Sequence, residues 1–268
     1  MSDAVLHDPL NDHLGWQQAR VTELSAPDSW LGLRGLFWLE AGDNAIGLAA
    51  DGELQIPAPG IPIGVLHVNG LNVEWRPDHG PSEILATDRN GTPSTVNLEN
   101  RLIFVAERDG RLAARVRDPD WASQQPFAGL ACYPYAPAWV IDAQWQPIDP
   151  PQIMELPNVL GELRPVSVAY CACFEHQGVA VRLLPVSAGE EEAFFVFRDR
   201  TSGRETYGAG RFIKGRPQGN GRIVLDFNRA YNPPCAFTRF ATCPLPPPEN
   251  WLSFPVAAGE LKWEKPSD

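Results

Sequence analysis

The chain has 268 residues, with 22 Lys and Arg against 33 Asp and Glu, a net charge of -11 and a pI near 4.9. This acidity opposes binding to nucleic acid and to an anionic membrane surface, because both need concentrated cations. A content of 44% hydrophobic and 21% charged residues is ordinary for a globular protein and excludes wholesale disorder. We therefore expect one large domain or two modest ones.

The N-terminal sequence MSDAVLHDPLNDHLGW has no basic region followed by an apolar run, which predicts that no signal peptide is present. No stretch approaches the ~18 uninterrupted apolar residues of a membrane-spanning helix. The five cysteines (132, 171, 173, 235 and 243) are odd in number and include no CxxC pair, which favours reduced thiols. We expect a cytoplasmic protein.

The first predicted element is a helix. Asp8 is suited to its N-cap and Pro9 to its first turn, and the helix should end before Pro27. Its apolar residues recur at helical spacing and predict one buried face: Leu10, Leu14, Val21 and Leu24. The apolar segment SWLGLRGLFWLEAGDNAIG (29–47) should dock this helix onto the first sheet.

Short strand-like runs separated by DG and NG turns follow from about residue 44 to residue 118. The order of these runs weakly resembles a β-sandwich of the forkhead-associated type. The phosphothreonine-reading Arg and the Ser-x-x-His of that family have no counterpart here, so the resemblance implies the sandwich without the phosphopeptide function.

Residues 118–160 are rich in proline and aromatic residues and predict a connecting loop followed by a strand near 138–146. A strand meander follows, with turns at Gly178, Gly189, Gly203 and Gly221. The chain has no βαβ rhythm and no GxGxxG, Walker A, HExxH or GxSxG motif. The predicted fold class is mainly β, a sandwich or barrel of antiparallel strands with an N-terminal helix. The predicted segments are 1–43, 44–118 and 119–268.

Two runs of the meander carry most of the candidate chemistry. In RETYGAGRF, strand alternation would place Glu205, Tyr207 and Arg211 on one face. In IVLDFN, alternation gives an apolar face to 223, 225 and 227 and leaves Asp226 and Asn228 on the polar face. If these runs pair, the polar side chains share one surface.

This surface has two interpretations. In the first it is a ligand pocket: Arg211 and Arg204 bind an anion, and Asp226 or Glu205 acts as a general base or orienting group. The predicted hydrogen-bonding residues of this pocket are Tyr207, Asn228, Tyr231 and Asn232. In the second interpretation Arg211 and Asp226 form an internal ion pair, covered by the proline-rich segment that follows.

The segment DFNRAYNPPCAFTRFATCPLPPPEN (226–250) holds two cysteines on proline-stiffened backbone. Cys235 is a candidate nucleophile, but no histidine lies in the segment to act as its base. A buried structural thiol and a metal or redox role are the alternatives. Zinc would need two further ligands that the sequence does not indicate, so we expect no metal and no cofactor.

Three stretches together resemble the signature of a largely bacterial domain-of-unknown-function family, number sixteen-eighty-four in that series. They are FRDRTSGRETYGAGRF (197–212), LDFNRAYNPPCAFTRFATCPLPPPENWL (225–252) and AGE (258–260). The resemblance implies no activity. From the residues we expect a small polar or anionic ligand beside the DFNRAYNPPCAF segment. The alternatives are a non-catalytic binding or adaptor module with a structural Arg–Asp cluster and a cysteine-dependent enzyme. The sequence does not indicate an oligomeric state.

Overall fold

The structure is a computed structural model that describes residues 8–98, 100–124 and 127–264. Residues 1–7, on which part of the signal-peptide prediction rests, lie outside this range. Contacts divide the chain into two compact units: Met1–Glu23 with Ala128–Asp268, and Leu24–Phe127. We call them the helix-and-sheet unit and the sandwich unit. The division predicted at residues 43 and 118 stays a prediction.

The sandwich unit contains two antiparallel sheets, with strands numbered in chain order. One has the order β1 (Leu33–Trp38), β9 (Arg111–Arg117), β8 (Arg101–Arg108), β7 (Thr95–Leu98). The other has the order β3 (Leu54–Gln55), β2 (Gly42–Leu48), β4 (Gly64–Asn69), β5 (Asn72–Pro77), β6 (Glu83–Leu85). Ile46 and Leu66 of the second sheet share one buried cluster with Ile103 and Val105 of the first. This shared core confirms the predicted sandwich character. A short helix α2 (Trp121–Gln124) follows β9.

The helix-and-sheet unit is built on one antiparallel sheet of seven strands. Their order is β12 (Val179–Leu183), β11 (Leu163–His176), β10 (Val140–Pro157), β16 (Arg222–Asp226), β15 (Arg211–Pro217), β14 (Ala193–Phe197), β13 (Ser187–Ala188). Phe195, Ile213, Ile223 and Leu225 are fully buried in its core, as expected where alternate residues of a strand face inward. The fold class is thus mainly β, as predicted, and among the described strands this sheet is open and does not close into a barrel.

The helix α1 (Pro9–Ser25) begins as predicted, because the Leu10 amide donates to the Asp8 carboxylate at 3.0 Å. The predicted buried face is wrong at two positions, since Leu10 is 47% and Leu14 is 52% exposed. Polar and aromatic residues at helical spacing, among them His13 and Arg20, lie on the inner side instead. Within the described residues, no helix has both the length and the apolar content needed to cross a membrane.

Candidate functional site

Arg211 lies in the interior of the helix-and-sheet unit, where its side chain has no exposed surface. Its guanidinium donates to the Asp199 carboxylate at 2.9 Å, to the Val256 carbonyl at 3.0 Å and to the Ala258 carbonyl. Burial lowers the pKa of Arg211, and the Asp199 carboxylate opposes that shift. The predicted Arg211–Asp226 pair is therefore wrong: Arg211 is an internal cation, but its partner is Asp199.

The predicted strand RETYGAGRF is wrong as well, because β15 begins only at Arg211 and the preceding residues form turns. Asp199 accepts hydrogen bonds from the Thr201 amide and hydroxyl, both at 2.7 Å. The Thr201 and Thr206 hydroxyls then meet at 2.8 Å. Gly210 closes the turns with a φ of 96°, where a Cβ would lie 2.5 Å from the Phe197 carbonyl oxygen. Alternation of faces does not apply to such a loop.

Because of these turns, the other candidate residues of RETYGAGRF (Arg204, Glu205 and Tyr207) do not lie on one common surface. Arg204 and Glu205 are exposed, and Glu205 accepts a hydrogen bond from the Tyr133 hydroxyl at 2.5 Å. Burial and this carboxylate raise the pKa of Tyr133 to about 12. The Tyr207 hydroxyl donates to the Cys235 carbonyl at 2.9 Å. The proline-rich segment therefore lies against the turn that carries Tyr207.

The predicted asparagine ligands make internal contacts. Asn228 accepts from the Ala136 amide at 2.9 Å and donates to the Ala136 carbonyl at 3.0 Å, which joins two chain segments. The Asn232 side chain donates to the Leu261 carbonyl at 2.7 Å. The Asn232 backbone amide donates to the Glu260 carboxylate, also at 2.7 Å, and burial raises the pKa of that carboxyl. Both asparagines are almost completely buried, in contacts that hold the C-terminal segment in place.

Asp226 and Tyr231, in contrast, line a cleft of about 980 Å³ between α1 and the seven-stranded sheet. The wall is formed by residues of α1, among them Asp12, Trp16, Arg20 and Glu23. The floor is formed by one face of β10, β16 and β15, with Val140, Val224, Asp226, Lys214 and Arg216. Glu192, Arg229 and Tyr231 complete the lining. This cleft lies beside the start of the DFNRAYNPPCAF segment, and it brings together two of the nine candidates.

Three of the four cations that line the cleft are paired with carboxylates. Arg20 contacts Glu23 at 2.7 Å and the buried Glu260 at 3.0 Å, and its guanidinium lies 4.8 Å from the centre of the Tyr231 ring. The other two pairs are Lys214 with Glu192 at 3.0 Å and Arg229 with Asp226 at 3.3 Å.

Arg216 is the fourth cation, and it is exposed. Among the residues that the structure describes, no carboxylate contacts its guanidinium. Sequence reasoning missed both Lys214 and Arg216, although alternation in RFIKGRP, with Ile213 and Gly215 buried, was a usable signal.

His13 is a second residue that sequence reasoning missed. It is 2% exposed, and its ring lies 5.7 Å from that of Trp16 and 5.2 Å from that of Tyr135. Neither ring nitrogen has a hydrogen-bond partner within the described part of the chain. Burial lowers the pKa of His13, the nearby Asp226 carboxylate raises it and Arg229 lowers it. A neutral imidazole is thus favoured on the inner side of α1.

Cys235 is partly buried, and its backbone amide donates to the Cys243 sulfur at 3.2 Å. None of the five cysteines, all of which lie in the described residues, forms a disulfide bond. Within residues 8–98, 100–124 and 127–264, no group of three or more His, Cys, Asp or Glu side chains is arranged to hold a metal ion. The two thiols therefore form a separate pair, apart from the lining of the cleft.

The fold and site define an antiparallel, mainly β protein whose N-terminal helix borders a charged cleft. Residues 125–261, about half of the chain, match the family model described as "Protein of unknown function (DUF1684)", and the chain belongs to that family. The resemblance seen in the sequence is thus confirmed. The family assigns no activity.

A search of curated proteins found no match. Among solved structures, an uncharacterized protein from Haloarcula marismortui, solved by solution NMR, is 29% identical. The match covers 50% of this chain and 77% of that one, with a TM-score of 0.42. The resemblance of the sandwich to forkhead-associated domains stays a prediction.

Proposed function

We propose that the protein binds a small anionic molecule in the cleft between α1 and the seven-stranded sheet. The observation that carries this proposal is the state of Arg216, a cleft cation with no carboxylate against its guanidinium in the described residues. A guanidinium presents several donors in one plane and suits a carboxylate or a phosphate. Arg216 is therefore the residue that would bind the anionic group of the ligand.

The neighbouring charges favour a ligand with one anionic group over a highly charged one. Lys214 and Arg229 are each neutralised by a carboxylate of the same cleft, at 3.0 Å and 3.3 Å. A single anion at Arg216 would complete the pairing, whereas further anionic groups would meet the carboxylates of Glu192 and Asp226. The protein's net charge of -11 also opposes a polyanion.

The size of the cleft supports a small molecule. Its volume of about 980 Å³ lies at the upper end of the ~300–1,000 Å³ that ligand pockets occupy. Trp16 and Val140 add apolar surface to the charged lining. Tyr231 keeps the hydrogen-bonding role expected from the sequence, and Asp226 keeps its expected role as an orienting group.

Isothermal titration calorimetry with inorganic phosphate and with acetate, each of which has one anionic group, tests the proposal. The Arg216→Ala variant removes the unpaired cleft cation. A hydrogen bond to a charged group contributes about 1.5–3 kcal/mol, so we expect the Kd to rise about tenfold or more. Arg204→Ala is the matched control, because Arg204 is also exposed and its loss changes the net charge equally.

Unchanged binding in Arg204→Ala together with weakened binding in Arg216→Ala would support the cleft as the site. An equal loss in both variants would show a general field effect instead. If neither phosphate nor acetate binds to the wild-type protein, the proposal is contradicted.

We also propose that the protein works in the cytoplasm. The five cysteines support this, because none forms a disulfide bond within the described residues and thiols stay reduced in that compartment.

A further inference from the structure

Cys235 and Cys243 meet across the proline-rich segment. The Cys235 amide donates to the Cys243 sulfur at 3.2 Å, which places the Cys243 thiol beside the backbone of Cys235. The 3-10 helix Pro234–Ala236 fixes the backbone at Cys235, and Pro244 follows Cys243 directly. The Cys243 sulfur, held this close to Cys235 on stiff backbone, lies within reach of the Cys235 side chain.

The surroundings favour the thiolate at Cys235. The Cys243 thiol, and to a lesser extent the Tyr207 hydroxyl and the backbone, lower the pKa of Cys235 against the effect of burial. Burial raises the pKa of Cys132 and of Cys173 to about 11. The thiolate is the reactive form of cysteine, so Cys235 has the chemical advantage over both.

Exposure also differs within the pair. Cys243 is 5% exposed, whereas Cys235 is only partly buried. A small oxidant that diffuses in from the solvent therefore reaches Cys235 before it reaches the more deeply buried Cys243.

We propose that Cys235 and Cys243 are a peroxide-reactive thiol pair that forms a disulfide. Cys235 is oxidised first, and Cys243 then reacts with the oxidised Cys235. The pair lies outside the lining of the cleft, so its oxidation does not depend on a ligand bound there. The oxidant is a hydroperoxide, of which hydrogen peroxide is the simplest.

The chemistry takes two steps. The Cys235 thiolate attacks one oxygen of hydrogen peroxide, the O–O bond breaks, and the other oxygen leaves as hydroxide, which becomes water on protonation. Cys235 is then a sulfenic acid. The Cys243 sulfur attacks the Cys235 sulfur, the S–S bond forms, and the S–O bond breaks with release of a second water that carries the Cys243 proton. The two thiols lose two electrons in total, which reduce one peroxide to two waters.

The chain contains a second thiol pair that serves as an internal control. Cys171 and Cys173 have sulfurs 3.6 Å apart on β11. They are two residues apart on a strand, which separates their Cα atoms by about 6.4–6.8 Å along it and their Cβ atoms by a similar amount. A disulfide needs Cβ atoms about 3.5–4.5 Å apart, so this pair cannot close without leaving the strand. Proximity of sulfurs alone should therefore not produce a disulfide here.

The test treats the folded wild-type protein with graded hydrogen peroxide, blocks the remaining thiols and maps disulfides by peptide mass spectrometry. We expect a Cys235–Cys243 disulfide at peroxide doses that leave Cys171 and Cys173 reduced. In the Cys243→Ser variant, dimedone should trap a sulfenic acid at Cys235. Failure of the 235–243 disulfide to form, or prior formation of a 171–173 disulfide, would overturn the proposal.

A second measurement needs no variant and so does not depend on the folding of Cys243→Ser. Near neutral pH, a thiol with a pKa of about 11 carries about one hundredth of the thiolate of a thiol with the ordinary pKa of 9.0. Its thiolate is intrinsically more nucleophilic, which recovers roughly tenfold. We therefore expect iodoacetamide to modify Cys235 about tenfold faster than Cys132 or Cys173. Equal rates, or a slower Cys235, would contradict the assignment of the first attack.

Discussion

Replacing Arg211 by Met tests whether this arginine is structural. The substitution keeps a long side chain but removes the cation from a site with no exposed surface. The Asp199 carboxylate then loses its partner at 2.9 Å, and the carbonyls of Val256 and Ala258 lose a donor. Breaking a buried ion pair on one side costs about 3–5 kcal/mol, because a charge remains buried without its partner.

For a unit of this size, a change of 1 kcal/mol in the free energy of unfolding shifts Tm by roughly 2–4 °C. Arg211→Met should therefore lower the Tm of the helix-and-sheet unit by roughly 10 °C, measured by circular dichroism. Arg204→Met is the matched control, and because Arg204 is exposed it should change the free energy of unfolding by less than about 0.5 kcal/mol.

A double-mutant cycle with Asp199→Asn distinguishes the loss of the Arg211–Asp199 ion pair from other effects of the substitution on stability. The two single substitutions each leave one charge without its partner, whereas the double variant leaves neither. We expect the double variant to lose less stability than the sum of the two single variants. If Arg211→Met unfolds at the same temperature as Arg204→Met, Arg211 is not structural and the ligand-binding interpretation returns.

Two further predictions concern backbone conformation and pH. Gly259→Ala should lower the free energy of unfolding, measured in urea, by about 3 kcal/mol or more. Its φ is 79°, and the new Cβ would lie 2.4 Å from the Ala230 carbonyl oxygen. Gly221→Ala is the control: its φ is 75° but the new Cβ would meet open space, so the loss should be only about 1–2 kcal/mol. Equal losses would contradict the close approach. Burial raises the pKa of Tyr133 and of Tyr231 to about 12, so both phenols should keep their protons past pH 10. A pH titration followed by phenolate absorbance measures this. Complete ionisation of all five tyrosines by about pH 11 would contradict the prediction.

Alternation of apolar residues predicted the strands well where a strand has one buried face. Ile223 and Leu225 lie on the predicted apolar face of their strand, and both are fully buried. The same test failed for RETYGAGRF, because the pattern does not register the hydrogen bonds between Asp199 and Thr201 that turn the chain. Nor does it register that Gly210 adopts a φ of 96°. Hydrogen bonds between side chain and backbone decide such loops, and residue periodicity does not contain them.

The candidate site could be predicted only in part. Two of the predicted site residues, Asp226 and Tyr231, line the cleft, but the cleft itself depends on which face of α1 is turned inward. The apolar pattern favoured Leu10 and Leu14, whereas the structure turns the side of His13 and Arg20 toward the sheet. The reason is that the inner partners are polar, with Glu260 buried beneath the helix and bound to Arg20 at 3.0 Å. A helix that packs on buried charge is not recognised from hydrophobic periodicity.

The most direct test of the proposed cleft is a crystal structure of the protein soaked with inorganic phosphate at a concentration that saturates binding in solution. The proposal predicts a phosphate in the cleft with an oxygen about 3 Å from the Arg216 guanidinium. An ordered phosphate bound elsewhere, with the cleft empty, would contradict it.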